Sequence, residues 1–129
     1  MKIHHIGYLV KDITKAVKKF EKLGYICNQD VIYDSIRDVN ITFIKNGDYM
    51  IELVAPQSPA SVVAELYKKF RNTPYHICYE AVDLDRNIAA LQQEGFVLID
   101  MPAPAVAFGN RRVAFMMNAM IGMIELVEV

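Results

Sequence analysis

Four residues stand out in this 129-residue chain because their types bind metal and their surroundings do not suit them: His5, Glu52, His76 and Glu125. Glu52 lies in the run 49–54, with Met50 and Val54 on its own face of a strand and Tyr49, Ile51 and Leu53 on the other. Glu125 lies in the run 122–127, with Met123 and Val127 beside it and Ile124 and Leu126 opposite. An ionised carboxylate among such neighbours is costly unless it is paired or bound to a cation. Taken singly, each residue has an ordinary reading: a glutamate at a strand edge with its head in water, or a core histidine with a hydrogen-bonded ring. Together, two imidazoles and two carboxylates are a common divalent ligand set, which neutralises the ion and leaves two further positions for substrate oxygens in six-coordination. The chemistry is that of a Lewis acid, stabilising the negative charge that forms when a proton leaves carbon next to a carbonyl. His4 neighbours His5, but strand alternation turns it to the opposite face, so it is not counted as a ligand. Cys78 shares a face with His76 and is expected to line the pocket.

The elements that must position these side chains come in two copies. HHIGYLVKDITKAVKKFEKLGYI, from His4, lies over YHICYEAVDLDRNIAALQQEGFV, from Tyr75, without a gap; the offset is 76 − 5 = 71. It sets His5 on His76, Tyr8 on Tyr79, Asp12 on Asp83 and Gly24 on Gly95. The ends repeat as well: IELVAP from Ile51 matches IELVEV from Ile124, at 125 − 52 = 73. Each copy opens on a β-rich run (3–10, 75–82), followed by Asp12 or Asp83 as a helix cap. Apolar residues at helical spacing come next (Ile13, Val17, Phe20; Leu84, Ile88, Leu91), and Gly24 or Gly95 ends the helix. In the first copy Val39, Ile41 and Phe43 alternate with polar residues, and Asn46-Gly47 turns a hairpin into the strand carrying Glu52. In the second, strands are expected at 96–100, 111–117 and 121–127. Each copy is therefore βαβββ, and neither could bury its sheet alone. The expected fold is α+β in a single domain: module one at 1–56, a linking amphipathic helix within 57–72 carrying Val62, Val63, Leu66 and Phe70, and module two at 73–129. If first and last strands are neighbours in each sheet, the four ligands converge between the copies.

Composition narrows the function. With 53% apolar and 22% charged residues the chain is globular, and a formal net charge of −1 gives no broad attraction for nucleic acid or acidic membranes. No apolar run reaches membrane-spanning length, and the opening MKIHHIGYLVKD reads as a strand rather than a signal peptide. Cys27 and Cys78 have no framework spacing, so free thiols in a reducing cytoplasm are expected. The stretch PAPAVAFGN reads as a loop leading to Asn110, Arg111 and Arg112, and a guanidinium there suits a carboxylate, phosphate or thioester carrier. Two solvated strand-end arginines are the competing reading. The methionines 101, 116, 117, 120 and 123 read chiefly as gap-filling core.

In HHIGYLV, IELVAP, YHICYEAVDLD, GNRRVAFM and GMIELVEV, taken in order over nearly the whole chain, the sequence resembles the vicinal oxygen chelate superfamily. Its members include glyoxalase I, methylmalonyl-CoA epimerase, fosfomycin-resistance proteins, extradiol dioxygenases and bleomycin-binding proteins. The resemblance implies an open eight-stranded funnel of two βαβββ modules, with a divalent ion (Zn, Ni, Co, Mn or Fe) at its floor and a homodimer as the assembly. The layout is most similar to the epimerases, but His-Glu-His-Glu looks like bacterial glyoxalase I, because position 52 is Glu where epimerases tend to carry Gln. The position of the epimerase's carboxylate base corresponds to Asn40, with Asp38 one pleat repeat away. The implied activity is a lyase or isomerase forming an enolate from a thioester or hemithioacetal. Glu125 is the first candidate base and Asp38 the second, while Asn40, Asn110, Arg111 and Arg112 contact substrate. The alternatives are a non-catalytic binding protein of the same fold and an extradiol-type dioxygenase; the fourth ligand, Glu52, argues against the dioxygenase.

Overall fold

The computed structural model describes residues 1–129. It is a mixed α+β fold with an open sheet of nine strands and three helices. Two compact units divide the chain, one made of residues 6–75 and the other of residues 1–5 and 76–129. The first strand, β1 (Ile3–Leu9), begins in the latter and ends in the former.

In the unit of residues 6–75, Asp12 accepts the Lys15 N–H at 3.0 Å and so caps α1 (Ile13–Glu21). That helix ends at Gly24, whose φ of 96° lies in the left-handed region that favours glycine. Strands β2 (Ile32–Asp34), β3 (Val39–Asn46) and β4 (Tyr49–Pro56) follow, in the order β2-β3-β4-β1. The β1–β4 pair is parallel and the others antiparallel. Ile13 of the helix packs with Val10, Ile44, Ile51, Leu53 and Ala55. Ile51 and Leu53 therefore face this core, which turns Glu52 to the other side of β4, where it too is buried. The linking helix α2 (Ala64–Phe70) is shorter than expected and buries none of its residues. Of the four apolar residues expected to form its inner face, Val63 is buried, while Val62 and Phe70 are exposed.

The second unit repeats the plan. After β5 (Thr73–Ala81), Asp83 accepts the Arg86 N–H at 3.0 Å and caps α3 (Leu84–Gln93). Leu84 and Ile88 then pack with Ala81, Ala114, Met116, Ile124 and Leu126. Strands β6 (Val97–Leu98), β7 (Ala103–Ala105), β8 (Arg111–Asn118) and β9 (Gly122–Glu128) complete it, in the order β5-β9-β8-β6, with β7 also pairing on β8. The strand beyond the eight expected is β7, which comes from the Pro- and Ala-rich stretch read as a loop. The first part of this stretch pairs with β8 through Ala103, Pro104 and Ala105, and the chain then turns through one 3-10 turn, Val106–Phe108, and the two residues after it. Proline is tolerated there because it needs no ladder donor on an edge strand. Among the methionines only Met116 is wholly buried; Met101 and Met120 lie at the surface. No helix is long and apolar enough to cross a membrane.

The repeat extends to register. Glu52 sits opposite Gly7 in the parallel pair and opposite Phe43 in the antiparallel one. Glu125 sits opposite Cys78 and Phe115, which are the equivalents of Gly7 and Phe43 in the second copy.

Candidate metal centre

His5, His76 and Glu125 meet within the unit of residues 1–5 and 76–129. His5 Nε2 lies 3.1 Å from His76 Nε2, and the Glu125 carboxylate oxygen Oε2 is 3.2 Å from the first and 3.1 Å from the second. All three residues are buried, at 1%, 4% and 2% exposure. An aromatic ring lies against each of the two histidines. Phe108, from the 3-10 turn, stacks on His5 at 5.7 Å with 17° between planes, and Phe115 meets His76 edge-on at 5.2 Å. Metal bonds of about 2.0–2.1 Å give ligand–ligand spacings of about 2.9–3.4 Å in octahedral or tetrahedral geometry. The three observed separations fall in that range, so the donor set fits one divalent ion. Glu52 is buried at 3% exposure on β4.

Burial alone would raise the Glu125 carboxyl above its ordinary value. Contact with the His5 and His76 rings, together with their charges, outweighs burial and holds it well below. A depressed folded value means that the stabilisation is present above the unfolded value near 4.5 and is lost as the pH falls below it. The metal-free protein is therefore expected to lose stability below about pH 4.5, with this group contributing up to about 1.4 kcal/mol per pH unit. Glu125→Gln should flatten that acid limb in urea titrations at successive pH values. An acid limb of unchanged slope in the variant would refute the assignment.

His4 is nearer to this cluster than strand alternation suggests. Its Nδ1 lies 2.9 Å from Nδ1 of His5, and its half-buried ring meets Phe108 edge-on at 5.4 Å. Burial, then the charge of His5, pushes the His4 ring below its ordinary value. Cys78 is fully buried, and its sulfur lies within 4.8 Å of ring nitrogens of both His4 and His5. Neither the His4 contact nor the Phe108 stack was read from the sequence. An imidazole reaches back along its own strand, and a phenylalanine in a turn gives no signal of what it covers.

Asp38 has a φ of 54° and stands in a turn just before β3, so its side chain does not follow the strand's alternation. It accepts from the Tyr33 hydroxyl at 2.6 Å and from the Ser58 hydroxyl. These bonds, Ser58's first, hold its carboxyl below the ordinary value. Asn40, on β3, donates its amide to the Gln57 side-chain carbonyl. The Arg112 guanidinium is held by Glu128 at 2.7 Å and Asp85 at 3.1 Å. Arg111 donates from Nε to the Phe108 carbonyl at 3.0 Å and is otherwise exposed. Asn110 is exposed at the turn before β8, with a φ of 64°.

The family model described as the glyoxalase/bleomycin resistance protein/dioxygenase superfamily matches residues 4–115. Among solved structures, the chain is similar to methylmalonyl-CoA epimerase from Mycobacterium tuberculosis, with 24% identity over 98% of this chain and 87% of that one and a TM-score of 0.85. It is also similar to a hypothetical protein from Bacillus halodurans, with 24% identity, coverage of 99% and 94%, and a TM-score of 0.88. A variant of Streptomyces coelicolor methylmalonyl-CoA epimerase in complex with 2-nitronate-propionyl-CoA gives 20% identity, coverage of 99% and 96%, and a TM-score of 0.84. At these identities the structural likeness establishes the fold. No curated protein matches the chain significantly.

Proposed function

Because the chain belongs to the glyoxalase/bleomycin resistance protein/dioxygenase superfamily, we propose that it is a divalent-metal-dependent lyase or isomerase that removes a proton from carbon next to a carbonyl. The observation that carries this reading is the convergence of His5 Nε2, His76 Nε2 and Glu125 Oε2 at 3.1–3.2 Å inside an apolar enclosure. Glu52 is the fourth ligand in this proposal. Its support is register: in one copy the residue opposite Glu125, Cys78, lies two positions after His76, and in the other the residue opposite Glu52, Gly7, lies two positions after His5. A local geometry that sets Glu125 at 3.1 Å from His76 thus has a counterpart for Glu52 and His5.

When bound, the ion supplies Lewis acidity for negative charge developing on a carbonyl oxygen. The chain's own residues hold that oxygen's surroundings dry, through Phe108 and Phe115, and supply the base. Glu125 is the first candidate, because its carboxylate stands beside His5 and His76 where the ion would polarise the substrate. Asp38 is the second, its carboxylate engaged by the Tyr33 and Ser58 hydroxyls. The complex of a similar structure with a CoA compound supports an acyl-thioester substrate. In this proposal Asn40, Asn110 and Arg111 contact that substrate, while Arg112 is held in its pairs with Asp85 and Glu128.

The test is solvent exchange: acyl thioesters and hemithioacetals are incubated with the metal-loaded protein in deuterium oxide. We expect deuterium at the α-carbon of at least one substrate, loss of exchange on chelation, and a fall of about 10²–10⁴-fold for Glu125→Gln. In the same assay, Arg111→Ala should raise KM. Stoichiometric metal without exchange in any substrate would overturn the enzymatic reading in favour of a binding protein of the same fold.

A further inference from the structure

We propose that His4 is a positioning residue for the metal centre: it accepts a hydrogen bond from Nδ1 of His5 and so selects the tautomer whose Nε2 lone pair faces His76 and Glu125. The inference rests on the metal-dependent reading above. A neutral imidazole carries a single N–H, so its two nitrogens cannot both donate or both accept. The 2.9 Å separation of the two Nδ1 atoms requires one of them to carry the shared proton. If His4 carried it, the proton of neutral His5 would sit on Nε2, the nitrogen that points at Glu125 Oε2 and His76 Nε2, and that nitrogen would be unable to ligate. With the proton on His5 Nδ1 and His4 as acceptor, Nε2 is free to donate its lone pair to a cation. Ligating histidines are ordinarily oriented by such a partner on the second nitrogen.

His4 is itself held for this task. Its ring meets Phe108 edge-on at 5.4 Å, and the same phenylalanine stacks on His5 at 5.7 Å, so one side chain fixes the relative attitude of both imidazoles. At the repeat's offset the residue equivalent to His4 is Tyr75, so a histidine in this place belongs to the first copy.

The experiment uses the full chain, with zinc as the probe. Zinc affinity is measured by competition with a chromophoric chelator for the wild type, His4→Ala, His4→Phe and His4→Asn. The Asn carbonyl oxygen occupies nearly the place of the imidazole Nδ1 and can accept the same bond, whereas Phe keeps the ring packing and cannot. Expected is a loss of about 10–100-fold for His4→Ala and His4→Phe, with most of it restored in His4→Asn. In parallel, the His5 Nδ1–H proton of the zinc-loaded protein should appear by nitrogen-15 NMR in the wild type and His4→Asn, and exchange away in His4→Ala. Affinity of His4→Phe equal to the wild type would overturn the inference, as would His4→Asn no better than His4→Ala. A wild type that binds no zinc would instead overturn the metal reading itself, so the two failures are distinguishable.

Discussion

Alanine at His76 should strip the protein of its metal. The wild type, purified with a divalent ion, is expected to hold one equivalent, and His76→Ala or His5→Ala should lose affinity by more than the roughly 10–100-fold typical of an outer partner. The reason is geometric. Three donor atoms separated by 3.1–3.2 Å surround one point, and removing an imidazole leaves neither enough charge nor enough donors for a stable site. Glu125→Ala should behave in the same way, and Glu52→Ala tests the fourth ligand. Cys78→Ala is the control, because its sulfur lies near His4 and His5 but is no part of the proposed set. Metal content is read on each variant after checking that it unfolds cooperatively. Loss in Cys78→Ala with retention in His76→Ala would move the centre to the His4, His5 and Cys78 group.

The second large effect separates lyase-like from epimerase-like chemistry, and it turns on Asn40. Inverting a carbon centre with two bases needs one on each face of that carbon, and an amide has no useful basicity. Asn40 stands where the family resemblance places one such base, and its amide is already engaged with Gln57. Asp38 does not replace it. It stands in the turn before β3 at a left-handed φ of 54°, with its carboxylate bound by Tyr33 and Ser58. The protein is therefore expected to exchange a substrate α-proton from one face only and to epimerise methylmalonyl-CoA far more slowly than an ordinary enzymatic turnover of about 10 per second. Asn40→Glu or Asn40→Asp should raise that rate. Chiral analysis of methylmalonyl-CoA in deuterium oxide measures both quantities; racemisation by the wild type at about 10 per second or faster would sink the idea.

Much of the fold was legible because the chain states it twice. The offset of 71 aligns two caps, two helices and two glycine stops, and the structure matches them bond for bond, down to Asp12 on Lys15 and Asp83 on Arg86. The convergence of His5, His76 and Glu125 was legible for the same reason: a carboxylate on a two-faced apolar strand has few destinations. What escaped depends on contacts that spacing does not encode. Arg112 finds Asp85 and Glu128, which lie 27 and 16 residues away in sequence. Asp38 leaves the strand because its backbone turns left-handed, which nothing in DVNITF announces. The stretch around Pro104 looked like a loop because proline and alanine are poor strand formers, yet an edge position on β8 accepts it.

The central claim is that His5, Glu52, His76 and Glu125 hold one divalent ion, and X-ray absorption of the zinc-loaded protein tests it most directly. One zinc per chain is expected, with two imidazoles and only oxygen otherwise, at about 2.0–2.2 Å. A sulfur scatterer at about 2.3 Å, or a shell without imidazole, would contradict it.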